Sequence, residues 1–301
     1  MARYLYWYRN TLRTSDLLPV HLSSSDELFM CYILDQRMHE ISPIGLCRTG
    51  ESRKRFLLDA LQELNAELIK LGGNLIIRSG SVTDQLKHLL NHLHIDTLIY
   101  NKELGIEEQT DEQHIEKYCH QIQIKTITTN LNFFTNFNQL PFEITNTPKI
   151  FTEFRKKIEE TQCYQLQFQY SVLSCSPGES ERLPHSNQII PLQGGCVTGK
   201  KRIHEYIHDK QLARSYKQTR NELLGLNFST KFSPYLAIGC ISPSQIHTEL
   251  TSHEKEFGSN ESTYWIKFEL LWRDFFRYVF LQHRYRIFCK SGLSINRMHF
   301  D

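Results

Sequence analysis

Ser229-Thr230-Lys231-Phe232-Ser233-Pro234 sets three hydroxyls and a lysine directly before a helical pattern, with the proline at a permitted first helical position. Hydroxyls, main-chain N–H groups and the positive end of a helix dipole together make an anion site. A plain Ser/Thr cap is the simpler reading of the same residues. Two other runs imitate known chemistry. His204-Glu205-Tyr206-Ile207-His208 matches H-E-x-x-H, which places two imidazoles on one helix face with a glutamate as base. A chain with 14 histidines meets that pattern by coincidence, the helix is polar, and no third ligand stands at a known spacing, so the run reads as a solvated helix. Gly194 to Lys201 nearly spells a P-loop, but Lys201 stands where Ser or Thr would hold magnesium, and a linker precedes the glycines. Glu269 and Trp272, three apart on an aromatic helix, share one face, and Arg273 is the i+4 ion-pair candidate for Glu269.

The elements that position these residues fall into two classes. Tyr4–Tyr8, Leu28–Leu34, Asn74–Arg78, Thr97–Tyr100 and Ile122–Thr128 read as strands. Between them, the stretch from Glu51 to Leu71 carries leucines at steps of four and three and stops at Gly72-Gly73, the pattern of an amphipathic helix. Val82–Leu93 repeats that pattern. Alternation of this kind predicts a doubly wound, mostly parallel α/β sheet over residues 1–135, with a ligand crevice beyond the carboxyl ends of its strands. The G-x-G-x-x-G fingerprint is absent, which disfavours a conventional NAD site. Residues 136–200 read as an interdomain region: a polar loop, a helix over Lys149–Gln162, and a long exposed linker from Ser171 to Gly199. Residues 201–301 read as all-α, with helices over Arg202–Leu212, Tyr216–Leu224, Pro234–Ile238, Ser242–Leu250 and Tyr264–Leu281.

Bulk properties narrow the class. A charge of +2 over 301 residues gives no global field for nucleic acid, so any DNA contact must be a local patch. Eight scattered cysteines without a C-x-x-C pair read as free thiols in a reducing compartment. No apolar run approaches a membrane span and no leader opens the chain, which makes the cytoplasm the expected location. The expected state is a monomer.

The long run Tyr216-Lys217-Gln218-Thr219-Arg220-Asn221, Ser229 to Ser233, and Pro234 to Pro243 resembles the flavin-binding segment of the photolyase/cryptochrome family. Tyr264-Trp265 and Phe268-Glu269-Leu270-Leu271-Trp272-Arg273-Asp274-Phe275-Phe276-Arg277-Tyr278 continue the likeness. Leu192-Gln193-Gly194-Gly195 and Tyr216-Lys217 resemble the DASH branch in particular. Leu5 to Arg13 is similar to the family's opening strand and turn, and Ile150-Phe151-Thr152-Glu153-Phe154-Arg155 to the start of its interdomain region.

The resemblance implies a helical FAD-binding domain, incomplete here, after the α/β domain. It places Tyr216 against the cofactor, Ser229, Thr230, Lys231, Phe232 and Ser233 on the FAD diphosphate, and Arg273 on the same anion. Glu269 and Trp272 would line the cavity that takes the damaged base pair. Glu108 would contact a folate antenna, 5,10-methenyltetrahydrofolate; a charged helix start is the plainer account of Glu107-Glu108. The implied reaction is light-driven, FAD-dependent reversal of cyclobutane pyrimidine dimers, preferentially in single-stranded DNA, with no metal and no membrane. The family continues past Asp301, so the chain reads as a shortened member, with Trp7, Trp265 and Trp272 as its only tryptophans. The competing readings are a non-catalytic truncated photoreceptor or nucleic-acid-binding remnant, and a free-standing nucleotide-binding α/β module.

Overall fold

A computed structural model describes residues 1–17, 21–165, 174–223, 225–290 and 292–293. Leu224, the start of the linker at Ser171, and the closing residues 296–301 lie outside the described residues.

The first half is built from β1 (Arg3–Tyr8), β2 (Glu27–Asp35), α1 (Glu51–Lys70), β3 (Leu75–Gly80), α2 (Val82–His92), β4 (Thr97–Asn101), α3 (Ile106–Gln121) and β5 (Lys125–Thr129). All strand pairs are parallel, in the order β3-β2-β1-β4-β5. The topology changes direction at β1, and both sheet faces are covered, as a parallel sheet requires. Alternate residues divide between the faces. Leu5 and Trp7 pack with Leu86, Leu89 and Ile115 of α2 and α3, whereas Tyr6 and Tyr8 pack with Leu57, Leu61 and Leu64 of α1.

The second core layer runs without a break into the later half of the chain, made of α4 (Phe151–Thr161), α5 (Cys196–His204), α6 (Tyr216–Thr219), α7 (Ser233–Ile238), α8 (Pro243–Phe257) and α9 (Glu261–His283). The sequence sets the starts of the two long helices. Ser242 with Gln245, and Asn260 with Thr263, form reciprocal capping boxes. Two sets of hydrogen bonds fasten the halves together. Leu12 N–H donates to Ile238 O at 3.1 Å, and the buried Arg13 guanidinium donates to Gly239 O at 2.9 Å while paired with Asp16. On the other side, Asp274 Oδ2 accepts from Phe134 N–H, Thr135 N–H and the Thr135 hydroxyl, each at 2.8 Å.

The linker is mostly exposed and without regular elements over residues 174–195, as expected, but the strip lies against the open edge of the sheet. Ser180 Oγ accepts from Ile77 N–H at 2.9 Å, Glu181 N–H donates to Ile77 O at 3.0 Å, and Gly178 exchanges bonds with Asn74. An uncovered strand edge would template pairing with other chains, and this strip removes it. Two expectations need correction. The H-E-x-x-H run is amphipathic rather than solvated. Tyr206 and Ile207 are fully buried in a π-helical turn over Glu205–Asp209, and His208 Nε2 meets Glu249 at 3.0 Å. The helix expected from Tyr216 lasts only four residues, and beyond it the Thr219 hydroxyl donates to Phe228 O at 2.8 Å.

Two histidines of α8, one buried and one half-buried, lack full hydrogen bonding. His253 has neither ring nitrogen partnered, and His247 lacks a partner at Nδ1. Burial holds both below the usual imidazole range, assisted at His253 by His208 and Arg214 and at His247 by Lys267. A depressed folded value means that stability is complete above pH 6.5 and is lost as the pH falls through the folded values. The midpoint of urea unfolding is expected to drop between pH 7.5 and 5, and a His253→Phe variant is expected to show a shallower drop; an equal slope in both proteins would contradict this account.

Candidate functional site

A cavity of about 500 Å³ lies between α6, the segment from Ser229 to Ser233, α7 and α9. Its walls are Tyr216, Ser229, Thr230, Lys231, Phe232, Ser233, Leu236, Ile266, Glu269, Leu270 and Arg273. Eight residues singled out from the sequence are therefore brought to one space from three separate stretches of chain. Tyr216 is buried, and its hydroxyl is pushed up by that burial and by the charge of Glu269. Lys231 takes a left-handed backbone, φ +58°, unusual for a side chain of its size, and Phe232 N–H donates to the Thr230 hydroxyl at 3.4 Å. Arg273 borders the cavity, and its Nη1 donates to Asn132 O at 2.5 Å. Burial and the neighbouring Arg277 pull its value down to about 10, so it remains a cation at neutral pH.

Glu269 does not pair with Arg273. Its partner is Arg220, which lies over the Trp265 ring with its guanidinium carbon 4.5 Å from the centroid. Burial raises the proton affinity of Glu269, and Arg220 opposes that shift. Trp272 stands outside the cavity walls. Its indole stacks on Phe151 at 3.7 Å between centroids and 13° between planes, with Phe276 at 5.6 Å. One of its faces is thus already covered by the helix that opens the interdomain region.

Glu108 lies at a different place, on the first turn of α3. It borders a crevice of about 260 Å³ at the carboxyl ends of β1 and β2, with Trp7, Arg9, Asp35, Arg37 and Arg53. It also borders a cavity of about 550 Å³ against α9, with Arg277, Phe276, Phe280 and Phe288. Its neighbour Glu107 is tied to Arg48, whose hydrogen bond holds that carboxyl below the usual range. Among the described residues no group of three His, Cys, Asp or Glu has the arrangement to hold a metal ion, and no helix is long and apolar enough to cross a membrane. The P-loop look-alike is closed by the protein itself: Glu63 Oε1 accepts from Val197 N–H at 2.6 Å, filling the place a phosphate would need.

Sequence reasoning assigned no role to Arg202, Arg220 or Asp274. Arg220 and Asp274 stand inside the family-like runs, but only the fold shows that one holds Glu269 and the other joins α9 to the loop after β5. Arg202 carried no signal at all, being one basic residue in a polar helix.

The chain can now be set beside known proteins. A cryptochrome DASH of Gloeobacter violaceus is 33% identical over 305 residues, covering 96% of this chain and 61% of its own length. The crystal structure of a Synechocystis sp. PCC6803 cryptochrome superposes with a TM-score of 0.90 at 32% identity, over 97% of this chain and 64% of that one. An archaeal photolyase from Sulfolobus tokodaii, solved with two FAD molecules, shares the fold at a TM-score of 0.66 and 20% identity, over 95% of this chain and 61% of that one. The chain thus spans about 60% of the length of these relatives. The DNA photolyase family profile matches residues 4–170, which together with the DASH likeness along nearly the whole sequence makes this chain a member of the photolyase/cryptochrome family.

Proposed function

We propose that the chain is a DASH-type photolyase that holds FAD between α6, the Ser229–Ser233 segment and α9, and reverses cyclobutane pyrimidine dimers in single-stranded DNA under light. The observation that carries this reading is the convergence of Tyr216, Ser229–Ser233, Glu269 and Arg273 on one cavity. The walls suit the group. Hydroxyls and Arg273 supply donors and positive charge for a diphosphate, while Tyr216, Leu236, Ile266 and Leu270 offer apolar contact. Bound FAD supplies light absorption and the electron that opens the cyclobutane ring. The chain's own part is to orient and to hold. Arg220 keeps Glu269 aimed at the cavity, where its carboxyl can meet the base edges. Trp272, which stacks on Phe151 and Phe276, adds its indole to the aromatic surface beside it. A flipped or unpaired lesion reaches such a site at lower cost than one inside a duplex. Glu108, with the aromatic side chains of α9 across from it, is the proposed contact for a folate antenna.

The test is the visible absorption spectrum of the purified protein before and after adding FAD. A structured flavin band is expected, followed by light-dependent loss of dimers in single-stranded DNA. A protein that stays colourless with FAD present would end this reading and favour a nucleic-acid-binding role without catalysis.

A further inference from the structure

We infer that Arg202 of α5 is the positioning residue that sets the Ser229–Ser233 segment for a diphosphate; the inference rests on the flavin reading above. Residues 225–228 are exposed and without regular structure, and besides Arg202 only the Thr219 hydroxyl, on Phe228 O, reaches their carbonyls among the described residues. Arg202 is buried and donates to two main-chain carbonyls in the segment and one just before it: Nε to Thr230 O at 3.0 Å, and Nη2 to Ser229 O at 3.2 Å and to Leu226 O. The guanidinium is itself fixed, over the Tyr206 ring at 5.1 Å and 3.4 Å from Glu205.

The consequence follows from the planar trans peptide, in which C=O and the next N–H point in opposite directions. Drawing the carbonyls of Ser229 and Thr230 toward Arg202 turns the N–H groups of Thr230 and Lys231 away from it. Neither N–H donates to a protein acceptor among the described residues, while both residues border the cavity. Two unpaired donors are thereby offered to an anion. The left-handed backbone at Lys231, which costs about 1 kcal/mol or more for a non-glycine residue, directly follows the carbonyl that Arg202 holds.

The test compares the whole chain with its Arg202→Lys variant, which keeps the charge but not the planar fork. FAD is expected to bind the variant at least about tenfold more weakly. Riboflavin, which lacks the diphosphate, is expected to bind both proteins within about twofold. Amide exchange at Thr230 and Lys231 should slow when FAD binds the unaltered protein, and exchange over 226–231 should quicken in the flavin-free variant. Equal FAD affinity in the two proteins overturns the inference, as does FAD binding that leaves the Thr230 and Lys231 amides exchanging freely, a measurement that needs no variant. If the unaltered protein binds no FAD, the flavin reading fails by itself. The exchange comparison then decides the role of Arg202: unchanged rates over 226–231 overturn it, and faster rates uphold it as the residue that orders the segment.

Discussion

Asp274→Ala is expected to destabilise the protein by about 3–5 kcal/mol. The carboxylate is fully buried at the middle of α9, and one oxygen takes three hydrogen bonds from Phe134 and Thr135. Truncation to alanine strands two main-chain N–H groups where no water reaches, each costing about 1–3 kcal/mol. It also leaves the Thr135 hydroxyl with only Tyr278, whose own hydroxyl is 2.8 Å away. The other carboxylate oxygen accepts no hydrogen bond and lies 3.7 Å from Arg273. Asparagine can keep its oxygen on the three donors, which makes Asp274→Asn the milder change, although its NH₂ then faces the Arg273 guanidinium without an acceptor. Urea unfolding followed by circular dichroism reads both variants. An alanine variant within about 1 kcal/mol of the unaltered protein would show that the bonds to Phe134 and Thr135 contribute little.

Gly239→Ala is expected to be of similar severity. Gly239 has φ +71°, the left-handed region, and ends α7. A Cβ there would fall on the carbonyl of Asn10 and lie 2.6 Å from the Cα of Thr11, both parts of the main chain that cannot swing aside. The same turn receives Arg13 on its carbonyl and Leu12 on the carbonyl of Ile238. Relieving the clash must therefore separate the first strand's turn from the helical half. A loss of at least about 3 kcal/mol is expected, read as a fall in apparent Tm of roughly 5–10 °C. Faster limited proteolysis of the strip over 174–195 should accompany it. A Tm within about 2 °C of the unaltered protein would mean that the two halves tolerate a wider spacing than their hydrogen bonds imply.

Both predictions concern contacts across long sequence separations, and that is where the sequence was hardest to read. The alternation of Leu5, Tyr6, Trp7 and Tyr8 between two faces, and the leucine steps of α1, are local signals, and the parallel sheet follows from them. The Ser229–Ser233 run was legible because its donors are contiguous. Arg202 and Arg220 were not, since they act on residues 24 to 49 positions away and leave no periodic trace. Glu269 illustrates the limit well. The i+4 rule offers Arg273 as its partner, yet Arg273 is drawn off by Asn132 O and Arg220 takes the place from α6's end. For the linker, Ser, Pro and Gly composition gave the exposure, but composition does not register an adjacent strand edge with unmet hydrogen-bonding groups.

The strip that closes the edge of β3 also imposes an order of events on synthesis. Ile77 meets Ser180 across 103 residues. At roughly 5–20 residues per second, a nascent chain carries β3 with its edge bare for about 5–20 s before the covering strip has been made. During that interval Leu75, Ile76 and Ile77 offer an apolar strand to any neighbouring chain on the same message. The protein's yield in a crowded cell is therefore set partly by translation speed between residues 77 and 180, a dependence invisible in the finished molecule.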